Sequence, residues 1–449
     1  MRKTYQITEY GSFVRDKEIQ GSISLPPDTF DALENFVLSN STNDTDALEL
    51  MGISARKGVG KIITAKNYVG VITMDDGTTI EILPKIFSHE TVTEGKVKKL
   101  LIDMLKTLRN APFKSLQSTN VNIDKLSIFE IFIRMFVDEV FFIVKRGLKC
   151  DYETIQANEK VFKGKMVFAG QIMHNYAHKE RSFVEYDEFN TNRAENKILK
   201  STLLYLYKHT ASSRNKSDIK TLLNAFSEVD ESSDYQADFT RIVPDRKTVD
   251  YQTALLWSRV FLMGKSFTSF SGSEVAFALL FPMETLFESY IAAELKKILS
   301  HSGYTLTAQD RTYHLFDEPR RFLMKPDIVI KHKELRQIFV MDTKWKILSD
   351  AKANYGISQA DMYQMYAYQK KYTSENVTLL YPLTENIEQK ESIEFLSHDG
   401  TLIKIRFVDL FDLKNSLANI KNEMEMNGCE QNKSRTPIIE LHRELRFHK

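Results

Sequence analysis

Asp327, Asp342 and Lys344 are the residues of this chain whose types and spacing could do chemistry. Carboxylate oxygens are the hard ligands that Mg²⁺ takes, and a bound ion polarises a phosphoryl oxygen and lowers the pKa of its water. A lysine beside them can orient that water or neutralise charge that develops in the transition state. The three residues therefore fit the hydrolysis of a phosphodiester, with both aspartates as metal ligands.

Two short strands must bring these residues together. Residues 328–330 and 338–340 are apolar and rich in β-branched or aromatic side chains, and the six residues between them are almost all polar. This pattern predicts a hairpin. Since strand side chains alternate between faces, Asp342 and Lys344 should point the same way. Pairing near the hairpin's ends would bring Asp327 close to Asp342.

The spacing resembles a nuclease signature. Pro326-Asp327, followed fifteen residues later by Asp342-Thr-Lys344, is similar to the PD-(D/E)xK pattern. The pattern is short, and the alternative interpretation is a surface hairpin with ordinary charges. The resemblance implies a core in the order helix, strand, hairpin, helix, strand, in which a glutamate from the first helix often joins the metal site.

A helix is predicted before the hairpin. Apolar residues recur at three- and four-residue steps between Phe281 and Leu299, which is typical of an amphipathic helix. Glu288 near its start is the candidate third catalytic and metal-binding carboxylate, and Glu284, one turn earlier, is the alternative. A solvated glutamate is the other interpretation, because negative charge is favourable in a helix's first turn.

A second helix, with Ser358 as its N-cap, is predicted after the hairpin, and a buried strand should follow it at 376–382. Its Gln364 and Tyr368 are four residues apart and share a face. The pair resembles the extra motif of RecB-like nucleases, which helps to hold the site and the DNA backbone; an aromatic core helix is the alternative. Lys346, on the same strand face as Lys344, is a further candidate for a phosphate contact.

Composition limits the classes of protein. The chain has 449 residues, 42% hydrophobic and 27% charged, with a net charge of +1, so any DNA surface must come from local clustering. Cys150 and Cys429 fit neither a disulfide framework nor a metal site, which indicates a reduced, cytoplasmic protein. No signal peptide or membrane span is predicted, since the most apolar run, 132–144, is short and carries charges.

Four segments are predicted along the chain. They are an α+β partner-binding domain at 1–95, a mainly helical middle region at 96–270, a C-terminal α/β PD-(D/E)xK nuclease domain at 271–424 and a charged tail at 425–449. The run Lys57–Lys61 is not a phosphate loop, because Ala55 stands where a glycine is needed and Ile62 where serine or threonine is needed. The basic helix at 96–110 is either a solvated face or a DNA or partner contact.

The chain as a whole resembles the McrC family, the nuclease subunits of McrBC-type restriction systems. No single block is conclusive, but their shared order is specific. The blocks are Tyr68–Ile72, Asp76–Lys85, Arg146–Leu148 with Tyr152, Gly164-Lys165, Glu188-Phe189, Glu195–Leu199, Leu286–Glu288, Lys325–Asp327 and Asp342–Lys344.

The resemblance implies a partner. McrC proteins work with McrB, an AAA+ ring that binds GTP and recognises double-stranded DNA, often through modified cytosine. Their N-terminal part inserts into that ring and stimulates GTP hydrolysis. A chain without its own phosphate loop fits this division of labour. Whether two copies associate through the nuclease domain or bridge two rings is left open.

The sequence is compatible with three functions. The first is a Mg²⁺-dependent endonuclease subunit activated by a GTPase partner. The second is a non-catalytic adaptor of an AAA+ ring, against which the intact Asp/Asp/Lys set argues. The third is a stand-alone RecB-like nuclease, which the large non-nuclease half makes less favourable.

Overall fold

The computed structural model describes residues 3–39, 50–74, 76–86, 93–108, 126–243, 249–263, 275–335, 337–374, 376–384 and 392–434. These residues form a mixed α/β protein with five sheets. The chain divides into two compact units, one within Met1–Leu83 and Asn110–Leu280, the other within Pro84–Arg109 and Phe281–Lys449. None of the helices in the described ranges is long and apolar enough to span a membrane.

The strands occur in three groups along the chain. They are β1 (Thr4–Thr8), β2 (Ser12–Arg15), β3 (Ser22–Leu25), β4 (Met51–Arg56), β5 (Gly60–Ala65), β6 (Tyr68–Met74), β7 (Thr79–Leu83), β8 (Asp151–Glu159), β9 (Lys165–Met166), β10 (Ser182–Asn190), β11 (Val275–Pro282), β12 (Tyr304–Ala308), β13 (His314–Phe316), β14 (Arg321–Leu323), β15 (Ile328–His332), β16 (Ile338–Thr343), β17 (Asn376–Pro382), β18 (Ser392–Leu396) and β19 (Leu402–Val408).

The helices lie within, between and after these groups. They are α1 (Pro27–Ser39), α2 (Glu94–Leu105), α3 (Ile128–Arg146), α4 (Phe168–Asn175), α5 (Ala194–His209), α6 (Ser213–Ala225), α7 (Tyr235–Arg241), α8 (Gln252–Met263), α9 (Met283–Ile298), α10 (Gln359–Tyr372) and α11 (Leu413–Ser434), with 3-10 turns at Val249–Tyr251 and Ala353–Gly356.

Two four-stranded sheets begin the first unit, in the orders β3-β2-β5-β4 and β1-β7-β6-β11. Buried apolar side chains from both sheets and from α1 form one core, with Phe13, Leu33 and Ile72 among them. The turn between β6 and β7 forms because Asp76 accepts hydrogen bonds from the backbone N–H and the hydroxyl of Thr78, at 2.7 and 2.9 Å.

Strand β11 reaches its sheet through a close backbone approach at Gly70. This residue has a φ of 141°, and a Cβ built on it would lie 2.0 Å from the carbonyl oxygen of Leu279. Only glycine allows the two strands to approach so closely. The segment predicted to open the nuclease domain at 271 therefore contributes a strand to the first unit before α9 begins at Met283.

The rest of the first unit is a helical layer with a small sheet. Helix α3 is buried along much of its length and has Ser127 as its N-cap, whose side chain accepts from the N–H of Glu130. The sheet has the order β8-β10-β9 and is built mainly from two nine-residue antiparallel strands. The middle region is thus helical as predicted, but these two long strands were not foreseen.

The second unit contains a six-stranded mixed sheet in the order β12-β15-β16-β17-β19-β18. Strands β15 and β16 form the predicted antiparallel hairpin, and β17 pairs with β16 in parallel after α10. Helix α9 packs against β12 and β16, and α10 packs against β16 and β17. The predicted order of helix, strand, hairpin, helix and strand is present, with the short strands β13 and β14 added.

Two predicted boundaries differ from this grouping. Residues 84–109 were divided between the first two segments, but α2 packs on α9 and so belongs to the second unit. The predicted tail at 425–449 begins inside α11, whose Leu417, Ile420 and Met424 are buried at three- and four-residue steps. Residues 435–449 lie outside the described part of the chain, and the four segments as separate domains stay a prediction.

The core of the second unit yields a test of stability. The hydroxyl of Tyr372 donates to Asp310 Oδ1 at 2.7 Å. Burial alone would raise the pKa of Asp310, but hydrogen bonds from Tyr372 and Thr312 outweigh it and hold that pKa below the ordinary 3.8. Tyr372→Phe should lower the free energy of unfolding by about 2 kcal/mol at pH 7, because a hydrogen bond to a charged group is lost.

The pH dependence of that loss follows from linkage. A lowered carboxyl pKa stabilises the fold above the unfolded value and ceases to do so as pH falls through the folded value. The difference between Tyr372→Phe and wild type, measured by urea unfolding, should therefore shrink below pH 3.8. Tyr363→Phe is the control, because this residue of α10 is exposed. An equal loss in both variants, or one that grows in acid, would contradict the assignment.

Candidate active site

The β15–β16 hairpin brings the two predicted aspartates together. Ile328 pairs with Met341, so Asp327 stands opposite Asp342 at the open end of the hairpin. The N–H of Asp327 points to Asp342 Oδ1 at a long 3.5 Å. Asp342 is 2% exposed, so the sheet removes its carboxylate almost completely from water.

Thr343 fixes the orientation of Asp327. Its backbone N–H and its hydroxyl both donate to Asp327 Oδ2, each at 2.7 Å. No role was predicted for Thr343, although its position between Asp342 and Lys344 placed it at the site. Its two hydrogen bonds leave Oδ1 of Asp327 as the oxygen not engaged by Thr343.

Lys344 contacts two carboxylates. Its Nζ lies 2.7 Å from Asp342 Oδ2 and 3.6 Å from Asp361 Oδ1. Asp361 stands in the first turn of α10, three residues before Gln364, and was also missed. Its spacing from Gln364 indicated the face of α10 on which it lies, because residues three apart are neighbours on a helix surface, but not its contact with Lys344.

Burial and like charge dominate the electrostatics of the pair. Burial, then the negative charges of Asp342 and Glu288, raise the pKa of Asp327 to about 7, although the bonds from Thr343 oppose the shift. Burial also raises the pKa of Asp342 against the opposing effect of Lys344. For Lys344, burial would lower the pKa, but the carboxylates of Asp342 and Asp361 prevail and raise it. The site therefore holds more negative charge than one lysine neutralises.

The α9 candidates differ in their relation to the site. Glu288 is half-buried and acts electrostatically on Asp327, whereas Glu284 is exposed. Phe287, next to Glu288, packs on Trp345 with ring centroids 5.4 Å apart, which fixes α9 beside the end of β16. The geometry favours Glu288 over Glu284, while its role as a third ligand stays a prediction.

The α10 pair and Lys346 lie around these groups. Gln364 Nε2 donates to the hydroxyl of Tyr368 at 2.7 Å, and Tyr368 is buried in the core. Burial chiefly, and then the negative charges of Asp342 and Asp327, raise the pKa of Tyr368 to about 12. The pair therefore lies near the carboxylates, while Lys346 is exposed after the strand ends. Contact of these residues with DNA stays a prediction.

The donor set fits a divalent cation bound through oxygen. Asp342 is buried and Asp327 is half-buried, and burial followed by the facing negative charge raises the pKa of Asp327 without a cation. Asp327 and Asp342 would hold the ion, since their oxygens are the hard ligands that Mg²⁺ takes. Within the described residues, no group of three His, Cys, Asp or Glu is close enough to hold a metal. Glu288 therefore does not form a preformed three-carboxylate cluster with Asp327 and Asp342.

The raised pKa of Asp327 predicts a pH effect on stability in the metal-free protein. A carboxyl whose folded pKa is about 7 and ordinary value is 3.8 stabilises the fold fully below pH 3.8. That contribution is lost as pH rises through 7, at roughly 1.4 kcal/mol per pH unit at most. Asp327→Asn keeps an acceptor for Thr343 without the charge, so it should gain stability relative to wild type between pH 4 and 8.

Urea unfolding in the presence of a chelator measures this difference. Asp317→Asn is the matched control, because Asp317 is an ion-paired aspartate of the same unit with a 78% exposed side chain. The control should follow wild type at each pH. An Asp327→Asn variant that loses stability in parallel with wild type would show that Asp327 is not the titrating group.

The chain is similar to one protein family and to two solved structures described here. A family model described as McrBC 5-methylcytosine restriction system component matches residues 63–382. The structure of Thermococcus gammatolerans McrB AAA+ hexamers with bound McrC is similar with a TM-score of 0.65 and 19% identity, over 93% of this chain and 100% of that chain. The cryo-EM structure of the McrBC complex of the same organism has a TM-score of 0.48 and 20% identity, over 67% of this chain and 88% of that chain.

The likeness with a TM-score of 0.65 shows the fold alone, because the identity is low. No curated protein matches the chain. The family model spans well over half of the sequence, and its range includes the strand pair, the helical blocks and the Asp/Asp/Lys set on which the McrC resemblance rests. On that match, the chain belongs to the McrBC 5-methylcytosine restriction system component family.

Proposed function

We propose that this chain is the nuclease subunit of a McrBC-type restriction complex and hydrolyses DNA phosphodiesters with Mg²⁺. The observation that carries the proposal is the convergence of Asp327, Asp342 and Lys344 at the open end of one hairpin, with a 2.7 Å contact between the last two. A buried and a half-buried carboxylate beside a lysine suit phosphoryl chemistry, since they combine cation binding with a positive group for the phosphate.

Each residue has a distinct task in this proposal. Asp327 and Asp342 would hold the cation, which would supply a water of lowered pKa and polarise the phosphate. Thr343 keeps one oxygen of Asp327 engaged and so fixes the orientation of the other. Lys344 orients the attacking water or stabilises the charge of the transition state. Glu288 supports the site from α9, and the six-stranded sheet with α9 and α10 would be the PD-(D/E)xK core.

The partner proposed for this chain is a McrB-like AAA+ GTPase. The family is a component of a 5-methylcytosine restriction system, and the similar archaeal structure has McrC bound to McrB AAA+ hexamers. The run Lys57–Lys61 lies in the turn between β4 and β5 and the start of β5, where a phosphate loop would instead lead from a strand into a helix. GTP would therefore bind the partner, and the substrate would be double-stranded DNA, with cytosine modification as the variable to test.

Asp342→Ala tests the site. In the complex reconstituted with the partner, GTP and Mg²⁺, the variant should cleave DNA at least about a hundredfold more slowly, since a group that acts in the transition state is worth about 3 kcal/mol. Gel analysis of methylated and unmethylated plasmids measures the rate, and Asp317→Ala should cleave as wild type does. Wild-type cleavage by Asp342→Ala would refute the assignment. A wild-type complex that hydrolyses GTP but never breaks DNA would favour the adaptor function.

Asp327→Ala tests whether cutting and partner activation are separable. The Asp/Asp/Lys residues, Glu288 and the Gln364–Tyr368 pair lie in the second unit, whereas the strand pair β6–β7 that resembles the family's partner-engaging part lies in the first. The variant should therefore lose detectable cleavage and still stimulate the partner's GTPase near the wild-type level. Loss of both activities in a folded protein, judged by circular dichroism, would make the nuclease core part of the GTPase-activating surface.

A further inference from the structure

Lys344 is held by carboxylates from two different elements. Asp342 belongs to the end of β16 and Asp361 to the first turn of α10, and their oxygens lie 2.7 and 3.6 Å from Nζ. The shorter contact is with the residue that would also bind the cation. The longer contact is with a residue to which no role has been given.

Asp361 is placed by a well-anchored helix. Met365, Tyr368 and Tyr372 of α10 are buried in the core against the sheet, so the first turn of the helix has little freedom. The side chain of Asp361 is 20% exposed and that of Lys344 is 26% exposed. Because both groups are partly buried, salt and water screen this contact less than they screen an ordinary surface ion pair.

A buried hydroxyl lies in the same region. Tyr381 of β17 follows Leu379, the parallel partner of Asp342, by two residues and so shares its face of the sheet. The hydroxyl of Tyr381 is buried and makes no hydrogen bond to the described residues. Burial and then the charges of Asp361 and Asp342 raise its pKa, so the phenol stays protonated and can donate. An unsatisfied buried hydroxyl calls for an explanation, and one is an acceptor that reaches it in another state of the site.

The two contacts of Lys344 have different consequences when the site works. A carboxylate of Asp342 that binds a cation has less negative charge to offer Lys344, and the cation itself repels an ammonium group. Without a second anion, Lys344 would leave the site when it is needed. The hydrogen bonds on Asp327 Oδ2 both come from Thr343, so Asp361 takes no part in them and its charge remains available to Lys344.

We propose that Asp361 is a positioning residue, which keeps the ammonium group of Lys344 at the site while the carboxylate of Asp342 is engaged. When Lys344 turns to the phosphate, the hydroxyl of Tyr381 donates a hydrogen bond to Asp361 in its place. This inference rests on the proposed nuclease function. It gives Asp361 no direct contact with DNA.

Asp361→Asn removes the charge and keeps the shape of the side chain. In the reconstituted full-length complex, single-turnover cleavage should slow by about tenfold to a hundredfold, the usual effect of losing a residue that orients a catalytic group. The DNA concentration for half-maximal rate and the stimulated GTPase should not change. Asp361→Glu should recover part of the rate, because it restores the anion.

The matched control is Asp317→Asn. Asp317 pairs with Lys371, also on α10, at 2.6 Å, and its side chain is far more exposed than that of Asp361. The control therefore removes one charge of an ion pair on the same helix without touching Lys344. It should cleave DNA at the wild-type rate.

Tyr381→Phe tests the hydroxyl separately. Removal of a buried hydroxyl without a partner should leave the protein as stable as wild type or more stable, while cleavage slows several-fold. Tyr372→Phe should have the opposite effect on stability, because that variant loses a hydrogen bond to Asp310 and should be less stable than wild type. A Tyr381→Phe variant with wild-type cleavage would remove Tyr381 from the proposal.

Acylation of lysines in the full-length chain with Mg²⁺ but without DNA, read by mass spectrometry, reports on the contact without any cleavage. Lys344 of wild type should react more slowly than the exposed Lys346, and Asp361→Asn should speed the labelling of Lys344 several-fold. Asp317→Asn should leave Lys344 unchanged and speed the labelling of Lys371.

The outcomes separate the inference from the function on which it rests. If Asp342→Ala abolishes cleavage but Asp361→Asn cleaves and labels as wild type does, the role of Asp361 is refuted and the proposed function stands. If the wild-type complex never cleaves DNA, the proposed function fails and the inference about cleavage fails with it. Slower cleavage by Asp361→Asn with faster labelling of Lys344 and partial rescue by Asp361→Glu supports the inference.

Discussion

The removal from water of two facing carboxylates, Asp342 buried and Asp327 half-buried, is the constraint on which the candidate site depends. Antiparallel pairing of β15 with β16 sets Asp327 opposite Asp342, and folding must offset the cost of bringing like charges out of water. Thr343 offsets part of it with two hydrogen bonds, and Lys344 another part with an ion pair. The arrangement is unfavourable for stability alone, which is typical of sites whose charges serve a ligand.

Much of this arrangement could be predicted because it follows from local rules. A polar turn between two short apolar runs defines the hairpin, and the hairpin defines the Asp327–Asp342 pair. The α10 pair Gln364 and Tyr368 was found because residues four apart share a helix face. Glu288 and Glu284 could not be separated from the sequence, since the choice depends on how α9 packs beside β16.

Contacts between distant parts of the chain were harder to predict from the sequence. Asp361 reaches Lys344 only because α10 lies over the sheet, which no pattern within α10 states. Strands β8 and β10 were missed because β8 is exposed over most of its length and lacks the apolar alternation that marks a half-buried strand. Helix α2 was predicted as part of the middle region, whereas it packs on α9. A basic amphipathic helix does not indicate which surface its apolar face covers.

The pairing of β11 determines how this protein can be dissected. Strand β11 is the edge of the sheet β1-β7-β6-β11, yet the chain passes from it directly into α9. A fragment cut before 275 would strip that edge from the first unit and expose β6, where Gly70 leaves the backbone open to another strand. The complementary fragment would lack α2, which packs on α9. Expressed halves should therefore aggregate, so the two halves are better studied by point substitution in the intact chain than by truncation.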